Sequence, residues 1–171
     1  MAATIPDQIA NATLADCLNV MSRAVFQAGL SWAAIAKHWE TYETAFEGFD
    51  PARVALYGEA DVQRLMETPN VLHSARKIAA TIENAKTLIE LDREYGGFRA
   101  YLHSFDSYNA LAKDLRKRFK FMGEMNVWYF LFRVCEPVPR FEHWVTTIQG
   151  DHPRMKEMVQ KGRSAGTSTE Y

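Results

Sequence analysis

An all-α domain is the fold this chain predicts, on three observations. Apolar residues recur at steps of three and four through most of its length. The apolar stretches are punctuated by helix caps and stops, Asp50-Pro51, Gly58, Pro69 and Gly96-Gly97 among them. No internal repeat and no convincing strand run appears. With 171 residues, 47% of them hydrophobic, the chain can fill one core of good size but hardly two. The expected organisation is one helical domain over 1–161 and a polar tail over 162–171.

Each element has a local reason. Leu14, Leu18, Met21, Val25 and Ala28 form one stripe that ends at Gly29, so a first helix spans them. A second begins near Ser31, with Trp32, Ile35, Ala36 and Trp39 on one side. Asp50 is a cap residue and Pro51 is suited to the first helical position; Val54 and Leu56 follow before Gly58 stops the helix. A short helix covers 61–66. The longest element takes Asn70 as its cap, buries Leu72, Ile78, Ile82, Ala85, Leu88 and Ile89, and ends at Gly96-Gly97. A short helix follows over 98–103. The next opens at Asp106 or Ser107 and turns Leu111, Ala112 and Leu115 inward. Residues 119–122 are too few for a helix and end in Gly123. A strongly apolar helix over 126–134 is closed by Pro137 and Pro139, and 153–160 is a last amphiphilic stretch.

Composition narrows the function. No run approaches the roughly 18 apolar residues of a membrane span, and the start lacks a basic and then apolar leader pattern. The two cysteines, Cys17 and Cys135, are too few for a disulfide framework or a four-cysteine zinc site, which makes a reducing cytoplasm the expected compartment. The net charge of −1 argues against a strongly basic nucleic-acid binder. Its distribution is uneven, however: residues 1–70 carry a net of −5 and residues 71–150 a net of +3. That polarity suits an anion on one face.

Two segments carry possible chemistry. In 113–120, five of eight residues are basic, and Lys117-Arg-Phe-Lys-Phe-Met-Gly123 joins two helices by a tight turn. Backbone N–H groups at the start of the second helix, with Lys117, Arg118 and Lys120 nearby, form an anion site suited to a phosphate backbone. The same residues also describe an exposed basic helix end meeting its own C-terminal dipole. The second segment, Phe26-Gln-Ala-Gly-Leu-Ser-Trp32, places an amide, an apolar wedge and a flat aromatic at one corner. Such a set suits a protein that extrudes a base, fills the gap and stacks the base. It equally describes a helix corner whose Leu and Trp pack the core.

Arg23-Ala-Val-Phe-Gln-Ala-Gly-Leu-Ser-Trp32 resembles the signature of the DNA-3-methyladenine glycosylase I family, which has a helix-hairpin-helix all-α fold. The resemblance continues through Ala45-Phe-Glu-Gly-Phe-Asp-Pro51, through 71–85 with Lys77-Ile78 and Asn84-Ala85, and through 98–105 and 115–123. It spans roughly 14–140 in register. It implies an enzyme of base-excision repair, acting on double-stranded DNA that contains alkylated bases. By the resemblance, Trp32 stacks the flipped base, and Leu30 with Gln27 plugs the duplex. The hairpin ending in Gly123 holds DNA phosphate through its amides and Lys120. Trp128 and Tyr129, on the helix after the hairpin, are candidates to line the base pocket.

The chain departs from the family pattern in several places. The family's pocket glutamate falls at Ala24, and its amino-terminal cysteine, tyrosine and histidine have no counterpart. Its zinc ligands are missing, since Phe141 stands near the expected histidine and no cysteine follows Cys135. His143 and His152 do not rebuild the site. No metal or organic cofactor is therefore expected. A purine alkylated at N3 is already cationic and leaves as a neutral base, so less general-acid work is required. Glu124, Glu136 and Glu142 are the candidates for a carboxylate that stabilises the sugar cation or orients water. The alternatives are a damage binder without catalysis on the same scaffold, and a scaffold repurposed for another partner.

Overall fold

The computed structural model describes residues 8–28 and 30–148. Within them the chain forms α1 (Leu14–Gln27), α2 (Trp32–Ala45), a 3-10 turn (Glu47–Phe49), α3 (Pro51–Val54), α4 (Glu59–Glu67), α5 (Ala75–Tyr95), α6 (Phe98–Leu102), α7 (Tyr108–Arg118), α8 (Glu124–Arg133) and α9 (Phe141–Trp144). The sequence expectations for Gly29, 153–160 and the tail fall outside the described residues.

α1 is the central helix. Thr13 and Asp16 close a capping box at its start, and Leu18, Met21, Ala24 and Val25 are fully buried, together with Val20 and Phe26. Burial on so many sides follows from its neighbours: α2 on one side, α5 on another and α8 on a third. α8 is also apolar nearly all round, as a helix enclosed by others must be. α5 braces the outside, packing on α1, α3, α4 and α6. It ends where Gly96 adopts a left-handed φ of 70°; the Gly97 amide donates to the Asp92 carbonyl, and the Phe98 amide to the Asp92 side chain. Trp39, Phe46 and Phe49 stack in near-parallel pairs under α2 and form the aromatic floor of the acidic third.

Three local expectations are corrected. Leu56 is 84% exposed because α3 ends at Val54 and the chain turns outward before Gly58. Ala36 is exposed, because Tyr42 and Ala45 continue the buried side of α2 begun by Ile35 and Trp39. The cap of α5 is Ser74, whose hydroxyl accepts from the Lys77 amide. Asn70 lies upstream with a φ of 66°, in a turn that returns the chain from α4. Asp50 and Pro51 cap and open α3 as their chemistry dictates.

Candidate functional site

The turn between α7 and α8 is a built hairpin. Phe119 and Met122 are buried as its apolar feet, and Lys120 is exposed at its tip. The buried Asn84 of α5 clamps that tip from below: its Nδ2 donates to the Lys120 carbonyl at 3.1 Å, and its Oδ1 accepts from the Lys120 amide at 2.7 Å. Phe121 has a φ of 56°, uncommon for a bulky residue, and is fixed on two sides. Asn126 donates to its carbonyl at 2.7 Å, and the Arg76 guanidinium lies 5.0 Å from its ring centre.

Gly123 then starts α8 with an extended backbone and no capping side chain. A Cβ there would meet nothing within 4 Å, so the protein's own packing does not require glycine. Open space before uncapped first-turn amides is the geometry that lets an anion reach a helix N-terminus. The Lys120 amide is not one of the available donors, because Asn84 has taken it.

A groove of about 940 Å³ runs along this turn, with Lys113, Arg116 and Lys117 on its rim and Phe121, Met122 and Trp144 among its walls. Lys117 and Lys120 form no ion pair with a described residue. Arg118 differs: its Nε is 2.7 Å from Asp114, which also accepts from the Tyr101 hydroxyl at 2.8 Å. The Asp114 hydrogen bond raises the guanidinium's pKa further. Arg118 is therefore already neutralised beside the hairpin.

The second constellation is the corner between α1 and α2. Ser31 caps α2 through Ala34, which puts Trp32 at the first helical position. The indole of Trp32 rests on Tyr129 of α8, with ring centres 4.9 Å apart. Its Nε1 is enclosed without a hydrogen-bond acceptor among the described residues, an uncommon state for a buried donor. The Tyr129 hydroxyl accepts from Arg133 at 2.8 Å. Gln27 donates to the Leu30 carbonyl at 3.2 Å, so its amide braces the corner from inside. Leu30 is half-buried against the core.

The structure thus brings Trp32 and Tyr129 together but not Trp128. The Trp128 indole donates to the Pro139 carbonyl at 3.1 Å and packs on Phe132, Phe141 and Trp144. The reason is helical: consecutive residues point about 100° apart, so only one of the pair can meet α2. Ala24 is buried in the packing of α1.

The three carboxylates also belong to other constellations. Glu124 is 3.3 Å from Arg116 at the hairpin. Glu136, buried, lies 2.7 Å from His103 and 3.7 Å from Arg99. It shares a small cavity of about 240 Å³ with Cys17, which stands two helical turns of α1 (about 10 Å) from Ala24. Glu142 lies exposed on α9.

The residues present do not fit the family's zinc. Phe141, near the expected histidine, is an apolar wall against Trp128, and among the described residues no three His, Cys, Asp or Glu side chains gather to hold a metal. His152 is outside the described residues. Among those residues, no helix is long and apolar enough to cross a membrane.

Sequence reasoning singled out neither Lys77 nor Asn84 for a role. Lys77 Nζ donates to the Ala28 carbonyl at 2.7 Å, with the Phe26 carbonyl at 3.5 Å, and burial lowers its pKa. The available signal was that each is locally misplaced: a cation in the first turn of a helix, and an asparagine among the buried positions of one.

Comparison with known proteins gives a consistent result. The family model described as methyladenine glycosylase matches residues 15–118. DNA-3-methyladenine glycosylase 1 of Escherichia coli K12 is 32% identical over 130 residues, covering 64% of this chain and 69% of that protein. DNA-3-methyladenine glycosylase of Haemophilus influenzae is 29% identical over 126 residues, covering 61% and 68%. The solved structure of 3-methyladenine DNA glycosylase I from Staphylococcus aureus superposes with a TM-score of 0.61 at 29% identity, covering 76% of this chain and 77% of that one.

Proposed function

Because the chain belongs to the methyladenine glycosylase family, we propose that it removes alkylated purines such as 3-methyladenine from DNA, as a hydrolase of base-excision repair. One observation carries the reading at the level of residues. A corner that presents Leu30 and Trp32, and a hairpin with uncapped amides and two lysines that form no ion pair with a described residue, are both reached by side chains of α5.

In this reading the duplex backbone settles on the first-turn amides of α8 beside Gly123, with Lys117 and Lys120 supplying charge. Arg118 contributes less, since Asp114 offsets it. Leu30 enters the stack, Gln27 supports the loop behind it, and the extruded base lies on Trp32, which the buried Tyr129 backs from the core side.

The reaction asks little of the protein as an acid. The C1′–N9 bond of an N3-alkylated purine breaks with its electron pair moving to N9, which neutralises the ring cation. Water adds to the sugar cation at C1′ and loses a proton to solvent. No carboxylate is needed to protonate the leaving group, and none of Glu124, Glu136 and Glu142 is assigned to stabilise the sugar cation or orient water. Extrusion and stacking, which hold the base and C1′ in position for attack, supply the acceleration. A DNA substrate sets the place of action in the compartment that holds the DNA, which we take to be the cytoplasm.

The test is chromatographic release of free 3-methyladenine from methylated DNA, with a Trp32→Ala arm and a chelator arm. Release that survives chelation and falls by at least about a hundredfold in the variant, the loss of stacking and positioning together, supports the reading. Binding of damaged duplex without release would make the chain a damage binder on this scaffold.

A further inference from the structure

Lys77 and Asn84 are seven residues apart on α5, two turns along one face and about 10 Å from each other. Lys77 points its ammonium at the carbonyl end of α1, and Asn84 holds both backbone groups of Lys120. Each is unfavourable for α5 itself. The Lys77 charge sits in the first turn, facing the positive end of the helix dipole, and is partly desolvated. Asn84 is a buried amide in a helix interior. Both are offset only by what they hold, and they hold the two loops that the proposed function sets against DNA.

We infer that α5 is a spacer that fixes the distance between the lesion wedge and the phosphate hairpin, with Lys77 and Asn84 as its positioning residues. This rests on the reading that both loops meet DNA. The physical requirement is registration: a phosphate held at the hairpin determines which base step meets Leu30, so a loose spacer loses lesion recognition before it loses affinity. Lys77 serves the wedge. Its donor cancels the exposed Ala28 carbonyl, beside the negative end of the α1 dipole, and pins the chain where α1 gives way to the corner. Asn84 serves the hairpin. It fixes the Lys120 backbone, and Arg76 on the same helix steadies the Phe121 ring beside it.

The two residues therefore predict different losses. The experiment measures affinity for an undamaged duplex and for the same duplex carrying a tetrahydrofuran abasic analogue, whose gap a wedge fills without any chemistry. Asn84→Ala should weaken binding to both duplexes alike, by about tenfold, the equivalent of one to two hydrogen bonds. Lys77→Met keeps the aliphatic stem but loses the donor. It should leave undamaged-duplex affinity within about twofold and cut the preference for the abasic duplex by about tenfold. Lys77→Arg, which keeps a cationic donor, should restore that preference. If Asn84→Ala does not fold, Arg76→Met loosens the same hairpin from the surface, with a loss on both duplexes of about threefold.

A Lys77→Met protein that loses affinity for both duplexes in proportion to its drop in Tm overturns the inference, as does one that Lys77→Arg fails to rescue. Wild-type protein that binds neither duplex overturns the DNA reading itself, and this inference with it.

Discussion

The hairpin and the α1–α2 corner are both reached from α5, yet they are held with different firmness. The hairpin has two hydrogen bonds from Asn84, one from Asn126, a guanidinium on Phe121 and two buried feet. The corner has the Lys77 ammonium on the Ala28 and Phe26 carbonyls, a pair of hydrogen bonds between Gln27 and Leu30, Tyr129 behind Trp32 and a cap at Ser31, and its Leu30 and Trp32 are half-buried where the hairpin's feet are buried. The difference suits the roles proposed for the two loops. A loop that grips a repeating phosphate backbone gains from rigidity, because the target is the same at every step. A loop that enters a base stack must rearrange, and lightly anchored segments are the ones that open at low cost.

Several measurements would break or sharpen that contrast. The largest effect is expected at the hairpin's foot. Phe119→Ala removes a buried ring that meets Phe98 edge-on, and should cost about 3–5 kcal/mol in urea unfolding. A cost under about 1 kcal/mol would mean that the hairpin is no firmer than the corner.

Next comes the charge on the hairpin. Lys117→Ala with Lys120→Ala should reduce the salt slope of duplex binding by about 1.8, two phosphate contacts' worth. Arg118→Ala should change it less, since Asp114 already compensates the guanidinium. Equal slopes for all three positions would remove the distinction between free and neutralised cations.

A smaller effect belongs to the corner. Ser31→Ala strips the side-chain cap of α2 and should cost about 1 kcal/mol, leaving undamaged-duplex affinity unchanged. Parallel losses of stability and duplex affinity would place the corner under the same control as the hairpin.

The smallest is a control on the core behind both. Burial, reinforced by the nearby Asp16 and Glu136 charges, pushes the Cys17 thiol up to about 12, so it stays protonated and unreactive. At pH 8 a thiol reagent should modify the half-buried Cys135 and spare Cys17 until the protein is unfolded. Rapid labelling of Cys17 in the native state would show that α1 opens far more readily than a central helix should.

Much of this molecule was written locally. Asp50 and Pro51 specify the start of α3, Gly96 and Gly97 the end of α5, and the spacing of Leu14, Leu18 and Met21 one side of α1, because caps, left-handed turns and helical periodicity act over a few residues. The hairpin was legible for the same reason, from its basic run, its short turn and Gly123. The corner motif was legible as a string of residue types, though its chemistry came from resemblance.

What adjacency cannot encode had to await the fold. The sequence offered Trp128 and Tyr129 as equals, and only the rotation of α8 against α2 set Tyr129 on Trp32 and sent Trp128 to Phe141 and Trp144. Glu136 read as a candidate to stabilise the sugar cation, and only packing buried it beside His103 and Arg99. Lys77 and Asn84 stood out as matches to the family and as misfits in their helix, but what they hold could not be read, because their partners lie 49 and 36 positions away. By itself, then, the sequence determined that the chain is helical, where most of its helices lie and which short turns join them. The tertiary structure decided which side chains meet across those helices, because such meetings depend on helix rotation and separation, which no short run of residues fixes.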